Sequence, residues 1–354
     1  MRNNPRLLAG VLLGLAVVVA SVAAQRSAKP ATAANPAEAT ARIVSAAQAL
    51  VKTLDDAGRA KVQFPFEGPQ KTRWSNLPSG IYQREGLRMG DLTPPQRAAV
   101  TTLLQAALSA DGYRKVMEIV KGDEILRGGA PAGQGRGRGG PGGRGLTFGE
   151  AEYFLAFLGT PSTTTPWMLQ FGGHHLAINL TLGGSQSSMT PSLPAAQPAT
   201  YTFEGKEIRP LGKENDKAFA LINALDEKLR GQVIIGSRVA DLVLGPGQDG
   251  RVIQPEGLRA SAMSSPQQDM LVELVREWAG IPADAFAAPR MAEIRGNLPQ
   301  TYFAWSGPTT NGSAAYFRIQ GPTLVIEYAP QGSVDHIHTI YRDPTNDYGA
   351  KFAK

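Results

Sequence analysis

The chain of 354 residues contains no cysteine, so no disulfide can brace it and no thiolate can bind a metal or attack a substrate. Histidine is almost as scarce, with four in the whole sequence. No long apolar run follows the first twenty or so residues, which predicts no membrane span in the processed chain. A Gly-x-Ser-x-Gly elbow and a phosphate-binding Walker loop are missing, and the glycines at 135, 137 and 140 follow no strand and make no dinucleotide fingerprint. Thiol chemistry is therefore excluded, and no nucleotide cofactor is expected. Stability must come from an apolar core, which a chain of this length can build.

What is present begins with a leader. Arg2 and Arg6 precede an apolar run from Leu7 to Ala20, and small residues follow at Val22 and Ala24, the pattern of a secretory signal peptide over residues 1–24 cut after Ala24. The mature protein is expected in the periplasm or outside the cell. Residues 25–40 are rich in alanine and proline and read as a flexible linker. The formal charge is +6 and falls to about +4 once the leader's arginines are gone, so no nucleic-acid partner is expected.

Helical periodicity opens the domain, from Thr40 to about Ala57. "DLTPPQRAAVTTLLQAALS" has Thr93 as a cap, Pro94 at the first position and Gln96 at capping-box spacing, ahead of an apolar face of Val100, Leu103, Leu104, Ala107 and Leu108. A third helix spans about Gly112 to Leu126. Residues 128–145, "GGAPAGQGRGRGGPGGRG", are too glycine-rich to order cheaply and read as a solvated surface loop.

Beyond the loop, "TPWMLQFGGHHLAINLTLGG" reads as two extended segments joined or bent at Gly172 and Gly173, and "KENDKAFALINALDEKLRG" as a helix ending at Gly231. "QVIIG" reads as a short buried strand. "SSPQQDMLVELVREWAG" repeats the earlier start signal, with Ser265 as cap and Gln268 in the box. Four strands close the chain, and short connections such as Gly321-Pro322 favour antiparallel pairing. The expected fold is α+β, a single domain over 41–354. A helical part (41–127), the loop and a sheet-containing part (146–354) follow one another, with helices packed on a mostly antiparallel sheet.

The four histidines stand in two clusters. On a strand His174 and His175 would face opposite ways, whereas His336 and His338 in "DHIHTIYRD" would point together. One histidine of the first pair joined to His336 and His338 makes a three-imidazole set, the ligand count of a catalytic zinc with one open position and acceptable to copper. Glu327, Asp335 and Asp343 are candidates for a fourth ligand or for orienting a ligand imidazole. The spacing lacks the helical His-Glu-x-x-His pattern, so a metal-free proton-transfer role or a structural role stays open. If the protein is an enzyme, hydrolysis by a metal-activated water is the natural chemistry, and with copper in the site redox chemistry or metal handling is equally open.

The alternative is a metal-free binding module for a small polar ligand, with Trp167, Trp305, Tyr302, Tyr341 and Arg342 lining a pocket. "YRDPTNDYG" is oxygen-rich but misses the calcium-loop spacing, and reads as a turn started by Asp343-Pro344.

"NLPSGIYQREGLRMGDLTPPQRAAVTTLLQAALSADGYRKV", "GTPSTTTPWMLQFGGHHLAINLTL" and "DHIHTIYRDPTNDYG" together resemble a catalogued domain-of-unknown-function family, number thirty-five hundred, of exported bacterial and fungal proteins. The resemblance runs from about residue 41 to 350 and takes in both histidine clusters. It implies one exported domain and supplies no activity, substrate or cofactor.

Overall fold

The computed structural model describes residues 35–129, 145–236 and 238–353. The leader, most of the linker and most of the Gly/Arg-rich stretch lie outside them. The class is α+β: helices pack on largely antiparallel sheets.

The first half contains α1 (Pro36–Lys52), α2 (Asp56–Val62), β1 (Gln63–Phe64), β2 (Leu87–Arg88), α3 (Pro94–Ala107), α4 (Ala110–Gly129), β3 (Phe154–Leu158), β4 (Trp167–Gly173), β5 (Leu176–Gly183) and β6 (Gln186–Ser188). Strands β1, β3, β4, β5 and β6 lie side by side, with β2 also on β3 and the short β7 (Leu193–Pro194) on β5. A small hairpin, β8 (Tyr201–Phe203) and β9 (Lys206–Ile208), leads into the second half. There, α5 (Gly212–Ala224), α6 (Glu227–Val233), β10 (Leu258–Arg259), α7 (Ser265–Ala279) and α8 (Asp284–Gly296) precede β11 (Tyr302–Ser306), β12 (Tyr316–Gly321), β13 (Leu324–Pro330) and β14 (Ile337–Arg342). The five strands β10 to β14 pair in sequence order, all antiparallel.

The two halves repeat one another down to single hydrogen bonds. Thr93 caps α3 with Gln96 closing the box, and Ser264 caps α7 with Gln267. Gln96 Nε2 donates to Thr53 O and Gln267 Nε2 to Ala224 O. Asp55 caps α2 and Asp226 caps α6. Gly86 and Gly257 both take positive φ, where a Cβ would strike the backbone of β3 or β11. In every pair the partners stand 171 residues apart. The strands keep register too: buried Gln170 faces Asn179 across β4 and β5 as Arg318 faces Glu327 across β12 and β13. We read the chain as an internal duplication of a unit with two helices, a short strand segment and two more helices, followed by a meander of strands; the first strand of the first unit, β1, is reduced in the second to the isolated Ile234–Trp305 bridge.

Each unit has its own core. Ile43, Leu50, Leu103 and Val116 meet Leu155, Phe157, Leu169 and Ile178 in the first, and Leu221, Leu271, Val275 and Trp278 meet Phe303, Trp305, Phe317 and Ile326 in the second. Three sets of polar contacts are among those that join the units. Ser109 N–H donates to Ile281 O and Ala283 N–H to Ala107 O, a reciprocal pair. Lys115 of α4 is buried against Glu214 of α5 and donates to Glu277 O of α7 at 2.7 Å. The segment Ser192–Ala196 hydrogen-bonds along β14, Ser192 exchanging bonds with Tyr341 and Ala196 with Ile337.

Several boundaries differ from the sequence expectation. The first helix starts at Pro36 on an Asn35 cap and stops at Lys52, because Asp55 starts a new helix. The 213–231 helix likewise breaks before Asp226. The α7 cap is Ser264 with Gln267, one residue earlier than read, since Ser265 is already helical. "QVIIG" is not a buried strand: Val233 ends α6, and Ile234 makes one isolated bridge to Trp305 and is 44 % exposed. No helix among the described residues is long and apolar enough to cross a membrane.

Because the caps satisfy helix-end N–H groups, Thr93→Ala and Ser264→Ala should each cost about 1 kcal/mol. Their sites lie in separate units, so the double variant should lose the sum within about 0.5 kcal/mol. Denaturant midpoints at constant m-value measure both.

Candidate metal centre

The strand β4 ends at Gly173 and β5 begins at Leu176, so His174 and His175 form the hairpin turn. The sequence placed the bend at Gly172 and Gly173, but both belong to β4. Gly173 is required because the Tyr153 ring packs where a Cβ would stand, and the Tyr153 hydroxyl donates to His174 O at 2.7 Å. His175 takes a left-handed backbone, φ 61°, unusual for a residue with a side chain. The turn sends the two imidazoles to different partners even though the rings lie close, with centroids 3.7 Å apart and planes tilted by 31°.

His175 joins the other cluster. Its Nε2 lies 2.9 Å from His336 Nε2, and His336 Nε2 lies 3.0 Å from His338 Nε2. A ligand atom from each of these three residues falls within 4.8 Å of the others, so the trio could hold a metal ion. His336 and His338 point together, as alternation about Ile337 requires. On the far side of its ring His338 Nδ1 sits 3.0 Å from Asp241 Oδ1.

Burial, reinforced by the neighbouring histidines, holds the His175 pKa well below the usual imidazole value. Burial, with His338 and His174 adding to it, brings His336 down to about 4. Both rings are therefore neutral near pH 7 and carry a free lone pair. Burial would raise the Asp241 carboxyl, but the His338 contact outweighs it and holds the pKa below the ordinary range.

His174 stands outside the trio. Its Nδ1 lies 2.6 Å from Asp123 Oδ1, and Asp123 Oδ2 accepts from Gly149 N–H at 2.7 Å. Both residues are buried. Asn76 completes the surroundings: its O accepts from His175 N–H at 3.1 Å, and its Nδ2 lies 3.2 Å from His338 Nε2.

The other candidates are occupied elsewhere. Glu327 accepts from Val243 N–H, Leu244 N–H and the Tyr316 hydroxyl. Asp335 accepts from Ala199 N–H. Asp343 accepts from Thr345 N–H and hydroxyl and pairs with Arg290 at 3.0 Å, which makes it the turn residue that "YRDPTNDYG" suggested. Arg342 is buried among Asp249, Asp347, Leu244 O and Gly245 O, with no fork free for a ligand.

Among the described residues the candidate aromatics do not come together in one pocket. Trp167 and Trp305 are fully buried in different cores, and their indole N–H groups donate to Ser162 O and to Gly307 O and Pro308 O. Tyr302 sits against Arg259. Tyr341 accepts from Arg290 and lines a cavity of about 270 Å³ that it shares with Asp343 and none of the other candidates.

Asp123, Asp241, Asn76 and Arg84 were missed. Asp123 did carry a signal, since it continues the Val116, Ile119, Val120 spacing and so places a carboxylate on an apolar helix face. The other three lie in irregular segments without periodicity.

A two-unit α+β protein with a three-histidine cluster between its units is the class that this geometry defines. The chain belongs to the family described as Protein of unknown function (DUF3500), whose model matches residues 36–350. No curated protein and no solved structure matches it.

Removing the Asp123 carboxylate would strand Gly149 N–H and the His174 ring in a dry interior. Asp123→Ala should therefore lose about 3 kcal/mol of stability, measured by denaturant unfolding without added metal. A loss below 0.5 kcal/mol would deny the pair its buried role.

Proposed function

We propose that the protein is an exported metal-dependent hydrolase whose ion is held by His175, His336 and His338. The convergence of three imidazole nitrogens on one point carries this reading. A tetrahedral ion with bonds of about 2.0–2.1 Å sets its ligand nitrogens ~3.3 Å apart, close to the 2.9 and 3.0 Å of two of the pairs, with all three ligand atoms within 4.8 Å of one another. Three protein ligands leave one position open, as catalytic zinc sites do. The Asp241–His338 contact is the carboxylate–imidazole arrangement that fixes a ligand's tautomer and raises its basicity. With neutral nitrogen donors and no thiolate the set suits zinc and also accepts copper.

In such a centre the ion lowers the pKa of bound water toward 7 and polarises a carbonyl or phosphoryl oxygen. The residues do the rest: Asp241 holds His338, the β4–β5 turn aims His175, and the strand register aims His336 and His338 together. Export follows from the leader, and sequencing the mature protein should begin at Gln25.

The test is elemental analysis of protein purified from its own compartment, beside the His336→Ala/His338→Ala variant. Zinc or copper near one atom per chain, lost in the double variant, is expected. Asp241→Asn should weaken the ion by about 10–100-fold in chelator competition. Metal-free protein that takes up neither ion, or a double variant with full metal, contradicts the reading. Hydrolysis of a panel of ester and phosphoester substrates, abolished by chelator and restored by the ion, tests the reaction.

A further inference from the structure

We propose that Asn76 is a binding residue of the centre, its side-chain amide donating a hydrogen bond to the atom that occupies the fourth position. The inference rests on the metal-centre reading and assigns a role to a residue outside the trio.

Three observations carry it. His338 Nδ1 faces the Asp241 carboxylate and so bears the ring proton, which leaves a lone pair on Nε2. Asn76 Nδ2 lies 3.2 Å from that lone pair, where the amide stands in for a cation. An ion takes the lone pair for itself, and the amide N–H then needs another acceptor. The remaining ligand nitrogens have their lone pairs on the ion as well, so the acceptor in reach is the group bound in the open position. With an ion about 2 Å from His338 Nε2 and its fourth group another ~2 Å away, a group on the Asn76 side of the ion would come within hydrogen-bond range of Nδ2.

The mounting of Asn76 is rigid. Arg84 Nη2 donates to Ser75 O, Leu77 O and Gly173 O, each at 2.7 Å. One guanidinium nitrogen thus clamps both neighbours of Asn76 to the turn that carries His175. Leu77 N–H donates to Ser75 Oγ, and His175 N–H donates to Asn76 O. A donor fixed before the ligand arrives loses little entropy on binding, the condition under which an oxyanion donor is most effective.

The duplication supplies the third observation. The position 171 residues further on, flanked by the matching bridge at Ile234 and the matching glycine at Gly257, is Gly247. Gly247 takes positive φ, unlike Asn76, so the backbones diverge at this position and the second unit has no side-chain equivalent of Asn76, just as it has none of the histidines.

The experiment uses the full mature chain loaded with cobalt(II), whose visible absorption reports the coordination sphere, titrated with azide as an anionic fourth ligand. Asn76→Ala should keep one cobalt per chain and the wild-type melting temperature within a few degrees, and should bind azide about tenfold more weakly or worse. Asn76→Leu, which keeps the size and removes the donor without adding charge or a metal ligand, should show the same loss and covers the case in which the alanine variant does not fold. Azide affinity within twofold of wild type in a cobalt-loaded variant overturns the proposal. Folded Asn76→Ala that no longer holds cobalt also overturns it, because Asn76 would then be a ligand itself. Wild-type protein that takes up no cobalt, zinc or copper defeats the metal reading, and the Asn76 assignment falls with it.

Discussion

Two adjacent peptide groups hold the candidate centre together. Ala195 N–H donates to His175 O at 2.8 Å, while Ala196 exchanges bonds of 2.9 Å in both directions with Ile337. Ile337 is the residue between His336 and His338, so one short segment fixes the turn that carries one imidazole against the strand that carries the other two. Buried backbone groups seldom go unpaired, which makes this seam costly to open. The polar groups around it, the Asp123–His174 pair and the Arg84 clamp, act on the same turn from its other sides.

The duplication explains why such a site could arise without disturbing the fold. Caps, positive-φ glycines and strand register recur in both units, and they account for stability wherever a polar side chain is shared. The histidines are not shared: the turn equivalent to His174–His175 in the second unit is Pro322–Thr323, between Gly321 and Leu324. Neither unit alone contains the trio. The centre is a product of the packing between units, which places it where clefts and domain seams commonly bind ligands.

Much of this was legible in the sequence, because it depends on local rules. Thr93, Pro94 and Gln96 announced α3 correctly, and alternation about Ile337 announced that His336 and His338 would converge. The error at His174–His175 came from trusting the glycines as the bend. Gly172 and Gly173 are in the strand because Leu176 O and the Tyr153 ring crowd them, a tertiary fact with no local trace. Trp167, Trp305 and Arg342 looked like ligand contacts because large polar-tipped side chains serve binding and packing alike. Burial assigns them to packing. Asp241 and Asn76 reach the trio from irregular segments far away in the chain, and no periodicity could have singled them out.

The account stands on one claim, that His175, His336 and His338 share one ion. The most direct measurement is anomalous diffraction from a crystal of the native protein, collected above and below the zinc and copper absorption edges. A single peak about 2.0–2.1 Å from all three Nε2 atoms is the predicted result. Well-ordered imidazoles with no peak among them after zinc and copper soaks, or a peak bound by other residues, would contradict it.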